Sequence, residues 1–326
     1  MKKVMIYGTL GPACGNREIL RQMAAEGMDG MRLNLSHIML EDAAPWIEAY
    51  RTAAEDCGKA PLLLIDLQGP ELRIGSLEAP LRLERGARIE TEAIPFSDEV
   101  RQALAHAPIG QEVLLDDGKL LLQKEADGLR VLRGGVLESR KSAALVGCSL
   151  CAPALTETDR RHLRLAKSFG VTAVMQPFVR GSEDLLSVRR ALIDAGCGDL
   201  RLFAKIENAD GVAHLEELIP CCDEIVIARG DLGNAVPLWE LPAVQKRIAA
   251  ACREANRDFT VVTQMLDSMT HRPVPTRAEV SDIFNAVLDG AASVMVTGET
   301  ASGDYPVETI RYLARTVRAA QAYIEL

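Results

Sequence analysis

The apolar positions of this chain fall into short runs separated by segments with helical spacing. Eight runs read as strands: 4–10, 30–36, 61–67, 171–178, 200–207, 224–230, 258–265 and 292–298. Runs such as "PLLLID" (61–66) and "EIVIA" (224–228) are continuous rather than alternating, as strands buried on both faces of a parallel sheet require. Segments 16–27, 41–57, 156–169, 182–195, 209–221, 239–255, 276–289 and 306–324 carry the helical pattern. Two of them open on a cap signature, Thr156 with Asp159 and Thr276 with Glu279. Eight βα units predict an α/β fold of the (β/α)8, or TIM, barrel type rather than an open doubly wound sheet.

One stretch breaks the alternation. Residues 71–151, after the third strand, hold short β-like pieces: "LRLERGARIETE", "EVLLDDGKLLLQKE" and "GLRVLRGG". Asp117-Gly118 and Gly134-Gly135 mark turns between them. The pattern predicts an inserted small β domain at 71–151, suited to act as a lid, with the barrel formed by 1–70 and 152–326.

Composition narrows the function classes. A formal charge of −9 over 326 residues leaves no basic excess for a nucleic acid or an anionic membrane. It does not exclude a small anionic substrate, which meets only local charge. The start "MKKVMIYGTLGP" turns strand-like within a few residues, and no run approaches about eighteen apolar residues, so a cytoplasmic protein is expected. Eight scattered cysteines fit reduced thiols. Cys148 and Cys151 form one C-x-x-C without a second pair or a nearby histidine, which argues against zinc.

A barrel keeps its chemistry at the C-terminal ends of its strands. Those ends supply Thr9 to Pro12; Arg32, Asn34 and Ser36, alternate residues facing one side; Asp66; Gln176 and Pro177; Lys205 and Glu207; Asp231; Thr263 and Gln264; Thr297 and Glu299. Singly, each is an ordinary polar strand end. As a set they place an ammonium and two carboxylates on adjacent strands with a guanidinium across the barrel. Glu207 and Asp231 are hard oxygen ligands suited to magnesium or manganese. Lys205 is a point charge able to follow a phosphoryl group, and Arg32 can hold a phosphate. Gly230 admits close backbone approach, and the N–H groups of "GDLG", opening toward a following turn, suit a carboxylate. Asn34, Ser36 and Asp66 could bind a monovalent cation or form a hydrogen-bonded cluster under the first loops.

These motifs resemble pyruvate kinase, in order and over nearly the whole chain. "TLGPAC" (9–14), "MRLNLSH" (31–37), "IDLQGPELRIG" (65–75), "FAKIEN" (203–208), "IVIARGDLG" (225–233), "VVTQMLDSM" (261–269), "PTRAEVSDIFNAVLDGA" (275–291) and "VMVTGETASGDYPVE" (294–308) carry the likeness. The resemblance implies a (β/α)8 barrel with a small β-barrel lid after strand three. It implies phosphoryl transfer between phosphoenolpyruvate and ADP, giving pyruvate and ATP. Lys205 would then steady the phosphoryl group, with Glu207 and Asp231 on Mg2+ (or Mn2+). The backbone from Ala228 through Gly230 to Asp231 would receive the substrate carboxylate, and Thr263 would lie by the face where the enolate is protonated. Arg32 and Arg73 would meet phosphates. Asn34, Ser36, Asp66 and the Leu67 carbonyl would bind K+, and His37 and Lys141 the nucleotide. The "PTRAE" segment resembles a subunit contact, so a homodimer through the face near Arg277 is expected.

The departures cluster on the nucleotide and lid side. Gln68 replaces the family's usual Lys, and Pro177 replaces the Ser of "SFIR". "SRKSAALVG" (139–147) keeps Lys141 but not the Asn-Leu-Pro run, and Asn234-Ala235 stand where the family reads "GVEIP". The family's C-terminal regulatory domain has no counterpart in these 326 residues, so no effector regulation through it is expected. Two other classes compete: a metal-dependent pyruvate-enolate lyase or aldolase, and a non-catalytic paralogue. Lys205, Arg73 and the insertion favour the kinase. Glu71 stands at the position where the family carries Glu in potassium-dependent members and often Lys in the others. Activity with magnesium is therefore expected to fall when a bulky organic cation replaces potassium; unchanged activity would refute the dependence.

Overall fold

The computed structural model of the chain describes residues 2–70, 72–116, 118–146 and 153–325. Eight strands close into a parallel barrel: Met5–Thr9, Gly30–Asn34, Leu62–Asp66, Ala173–Gln176, Arg201–Ile206, Glu224–Ala228, Asp258–Val262 and Ser293–Met295. Each pairs with its neighbours in chain order, and the eighth returns to the first. All eight expected strands form, each within its expected range.

Period-two alternation sorts the barrel interior into layers. At the N-terminal end, Glu224 accepts hydrogen bonds from Thr260 (2.5 Å) and Ser293 (2.9 Å) and pairs with Arg201 (2.9 Å). Above it lies an apolar layer containing Tyr7, Leu64, Met175, Phe203, Val226, Val262 and Met295. Gly30 is part of this fit: a Cβ there would fall 2.3 Å from the Tyr7 ring. Two residues further along several strands the inward positions turn polar, at Thr9, Arg32, Asp66 and Lys205. The apolar layer thus separates two polar ends, and the C-terminal one carries the Arg32, Asp66 and Lys205 charges of strands two, three and five.

The helices follow the expected spacing, with caps where the sequence put them. Thr156 and Asp159 form a capping box at Glu157–Leu165, and Thr276 and Glu279 form one at Arg277–Leu288. The expected helix at 209–221 is broken into Ala209–Ala213, Leu215–Leu218 and a 3-10 turn at Ile219–Cys221. Pro220 accounts for the second break, into the 3-10 turn, and Gly211 packs tightly inside the first piece. Gly211 presses on the Val179 carbonyl, 2.7 Å from where a Cβ would sit, and Pro cannot donate to the helix ladder.

Residues 70–153, together with 233–238, group into a second compact unit. Its main sheet is antiparallel and five-stranded, in the order Ala143–Leu145, Glu112–Leu115, Leu120–Glu125, Gly128–Arg133, Arg88–Ile89. Leu81–Leu83 pairs separately with Gly135–Leu137. The helix Asp98–His106, capped by Ser97, is part of the unit, whose own core includes Ile74, Phe96, Val113, Leu122 and Val131. Asn234 belongs to this unit and lies against the Gly118 turn. Asp117, Glu71 and the Cys148/Cys151 pair lie outside the described residues. Among the described residues, no helix is long and apolar enough to cross a membrane.

Candidate active site

The C-terminal end of the barrel is organised by one carboxylate. Asp66 ends strand three and is almost fully buried. Its Oδ2 accepts from Arg32 Nε (2.8 Å) and Nη2 (2.6 Å) and from Lys205 Nζ (3.1 Å). Lys205 Nζ also meets Glu207 Oε1 at 2.9 Å. Register explains the meeting: Arg32 sits opposite Leu64 and Asn34 opposite Asp66, and Lys205 and Glu207 are alternate residues on strand five and its end.

Burial makes these charges interdependent. Desolvation alone would raise the Asp66 carboxyl, but the Lys205 and Arg32 charges outweigh it and hold Asp66 below the usual carboxylate range. For Lys205 burial pulls the other way, and the charges of Asp66 and Glu207 keep its ammonium well above the ordinary lysine value. Lys205 therefore stays charged at neutral pH.

Glu207 is fixed from a second side, because its Oε2 accepts from the Phe178 N–H (2.8 Å). Phe178 has φ +53°, and Thr263 and Gln264 have φ +76° and +55°. Such values are uncommon for any non-glycine residue and an outlier for β-branched Thr. Three of the six non-glycine residues with positive φ among those described thus lie just beyond strands four and seven. Arg229 holds the strained turn: its Nη2 and Nε donate to the Thr263 carbonyl (2.8 and 3.2 Å), while Nη1 pairs with Asp282 (2.6 Å). Gly230 lies under Thr263, with the Thr263 Cγ2 3.0 Å from where a Cβ would be.

The "GDLG" segment differs from expectation. Arg229–Ala235 is helical directly after Ala228, so Asp231 sits in a first helical turn rather than before an open one. Ser36 also arrives by another route. Strand two ends at Asn34, and Ser36 is placed by a turn in which its N–H donates to Asn34 Oδ1 (3.1 Å). His37 lies in the same turn, its N–H on the Asn34 carbonyl. Leu67 follows Asp66 and donates its N–H to Met175. Gln176 does not join the polar end: its Nε2 donates to the carbonyls of Ala154 (2.8 Å) and Pro177 (3.2 Å). Glu299 is structural too, accepting N–H groups from Leu266 (3.2 Å) and Thr297 (2.7 Å). In the inserted unit, Arg73 donates to the Arg140 carbonyl (2.9 Å), and Lys141 pairs with Asp116 (3.2 Å) and Glu138 (3.5 Å).

Two cation sites can be tested against these residues. No group of three or more His, Cys, Asp or Glu side chains among the described residues is placed to hold a metal. Glu207 and Asp231 offer two carboxylates, the set with which magnesium is commonly held when substrate oxygens complete the shell; the donor chemistry fits. For a monovalent cation the sign is more specific. Asp66 Oδ1 is buried and has no hydrogen-bond partner, although Oδ2 has three. An acceptor left unpaired in the interior is costly, and a cation beside it would remove that cost.

Sequence reasoning passed over two residues of this end. Arg229 was visible only as a strand-end charge, and Asp159 only as a helix cap. In the fold Asp159 also accepts the N–H groups of Gln68 (2.8 Å) and Gly69 (3.1 Å). Beyond the cap signature itself, the sequence carries no signal of these two bonds, which appear only when the fold brings Gln68 and Gly69 against Asp159.

The family model "Pyruvate kinase, barrel domain" matches residues 1–310. Among curated proteins, the chain is 39% identical over 331 residues to "Pyruvate kinase" of Aeropyrum pernix, covering 99% of this chain and 71% of that protein. It is 34% identical over 337 residues to "Pyruvate kinase" of Geobacillus stearothermophilus, covering 98% and 57%. It is 37% identical over 352 residues to "Pyruvate kinase PKLR" of Homo sapiens, covering 99% and 60%. The chain thus spans well under two thirds of the length of several relatives it matches.

The Asp66 cluster makes a signed prediction. A carboxyl held low contributes stability that is complete above its unfolded value, about 3.9, and is lost as the pH falls through the folded one. Asp66→Asn leaves Lys205 and Arg32 without their shared counter-charge and should cost roughly 3–5 kcal/mol at pH 7. Urea unfolding of parent and variant should show this gap narrowing below about pH 4; a gap independent of pH would contradict the assignment.

Proposed function

The chain belongs to the pyruvate kinase family, and from that premise we propose that it transfers the phosphoryl group of phosphoenolpyruvate to ADP, giving pyruvate and ATP. The observation that carries the reading is the buried linkage Arg32–Asp66–Lys205–Glu207 at the catalytic end of the barrel.

In this reaction an oxygen of the ADP β-phosphate bonds to phosphorus as the bond from phosphorus to the enol oxygen breaks. The electron pair stays on the enol oxygen, and the methylene carbon of the enolate then takes a proton. Charge moves across the phosphoryl oxygens, so positioning and fixed positive charge are what a protein can add. Lys205 meets this need. Its ammonium is permanently charged, buried, and aimed by two carboxylates rather than left to swing. Arg32 is similarly pinned by Asp66, with Nη1 at 3.3 Å from the Thr9 hydroxyl. A low-dielectric site raises the effect of such charges, and their geometry needs no reorganisation during transfer.

Glu207 and Asp231 would hold Mg2+ or Mn2+, which when bound supplies Lewis-acid stabilisation of the enolate and carboxylate oxygens. Asn34, Ser36, Asp66 and the Leu67 carbonyl would hold K+. The backbone of Ala228, Gly230 and Asp231 would receive the substrate carboxylate, because Gly230 presents no side chain there. Thr263, strained and held by Arg229 through its carbonyl, would stand by the carbon that is protonated. His37 and Lys141 are assigned to the nucleotide and Arg73 to a phosphate. The inserted unit is assigned as a lid, and a homodimer near Arg277 completes the proposal.

A coupled assay for pyruvate from phosphoenolpyruvate and ADP tests the reading. The parent should turn over, and Lys205→Met should lower kcat by about 100-fold or more, as loss of one preorganised charge does. Absence of pyruvate from the folded parent, in the presence of Mg2+ and K+, would refute it.

A further inference from the structure

The insertion leaves the barrel after Gly69 and the chain returns at Ala154. On the barrel side, both crossings are fastened to a single side chain. Asp159 is fully buried in the first turn of the helix Glu157–Leu165. Its Oδ1 accepts the Gln68 N–H (2.8 Å). Its Oδ2 accepts the Gly69 N–H (3.1 Å), the Thr156 N–H (2.9 Å) and the Thr156 hydroxyl (2.7 Å). Two donors belong to the outgoing segment and two to the returning one. An ordinary capping box needs only one of these four, the Thr156 N–H, with the Asp159 N–H on the Thr156 hydroxyl (3.0 Å) as its reciprocal bond.

Neighbouring contacts reinforce the same point. Gly69 has φ +60°, and a Cβ there would lie 2.5 Å from Pro177 and 3.5 Å from Gln176 Nε2. Gln176 in turn donates to the Ala154 carbonyl on the returning segment (2.8 Å). Charge-assisted bonds from a buried carboxylate to backbone N–H groups are among the stronger ones available. Asp66, three residues before Gly69, is placed independently by strand pairing and by Lys205 and Arg32.

We infer that Asp159 is a positioning residue for the Gln68–Gly69 turn, holding the edge of the site on which Gln68 lies while leaving the Asp66–Lys205 centre to its own restraints. The inference rests on the proposed phosphoryl transfer, with Gln68 on the nucleotide side. It separates two kinetic effects: freeing the turn should weaken ADP binding far more than it slows the chemical step.

The test compares Asp159→Asn with Thr156→Ala. Asn keeps the size but turns one acceptor into an NH2 group facing backbone donors. Ala at 156 removes the cap hydroxyl and leaves the bonds to Gln68 and Gly69. In Asp159→Asn the KM for ADP should rise about tenfold or more, with kcat and the KM for phosphoenolpyruvate within about threefold of the parent. In Thr156→Ala all three should stay within about twofold, although both variants lose thermal stability. Equal kinetic effects in the two variants, or no rise in KM for ADP in Asp159→Asn, would overturn the inference. Amide hydrogen exchange gives a readout independent of activity and of the variant's folding. In the parent, Gln68 and Gly69 should exchange as slowly as strand Leu62–Asp66; exchange at the rate of exposed loop amides would also overturn it. If the parent makes no pyruvate, the functional reading fails, and the exchange measurement alone decides the role of Asp159.

Discussion

A charge taken out of water must be paired, and this end of the barrel follows from that constraint. Asp66 is buried beyond the apolar layer, where an isolated carboxylate would be driven to neutralise. Arg32 and Lys205 keep it charged, and it keeps them in place. Neither cation could hold a fixed direction in so buried a position without a counter-charge, and Glu207 fixes Lys205 from its other side. A buried ion cluster of this kind is a poor source of stability compared with apolar packing. Its value lies in preorganisation: positive charge is aimed before any substrate arrives.

The opposite end of the barrel shows how the same constraint produces a different result. Glu224 is also buried, and burial raises its carboxyl despite hydrogen bonds from Thr260 and Ser293 and the charge of Arg201. Glu224 faces two hydroxyls and the half-exposed Arg201 guanidinium there, with the Asp258 charge nearby adding to the rise. Between the two ends stands the apolar layer around Phe203, Val226 and Met295. Strained backbone appears at the first end and not in that layer. Phe178, Thr263 and Gln264 take positive φ where strands four and seven finish, and Arg229 and Glu207 bind that backbone down.

Much of this was legible in the sequence because it depends on periodicity. Apolar runs marked all eight strands, and their polar ends marked one face of the barrel, so Lys205, Glu207 and Asp231 could be grouped with Arg32 before any coordinates, whereas Asp66 was grouped with Asn34 and Ser36 instead. Spacing could not reveal where a strand stops. Ser36 seemed to continue the alternation of Arg32 and Asn34, yet the Asn34 side chain captures its N–H in a turn. Nor could it show side chains spent on distant backbone. Gln176 and Glu299 read only as polar strand ends, and they satisfy carbonyls and N–H groups of neighbouring loops. Asp159 read as a cap, and its bonds to Gln68 and Gly69 reach across about ninety residues of chain. The departures at Gln68 and Pro177 look different once placed. Both border Gly69, whose missing side chain makes room for the Pro177 ring.

On the proposed function, this end of the barrel holds an enolpyruvate anion jointly by a divalent cation and fixed positive charge. Calorimetric titration with oxalate, an enolpyruvate mimic, tests this without turnover. Binding should be saturable, should require Mg2+ or Mn2+ and should be lost in Asp231→Asn. Equal binding with and without the metal, or no binding by the folded parent in its presence, would contradict it.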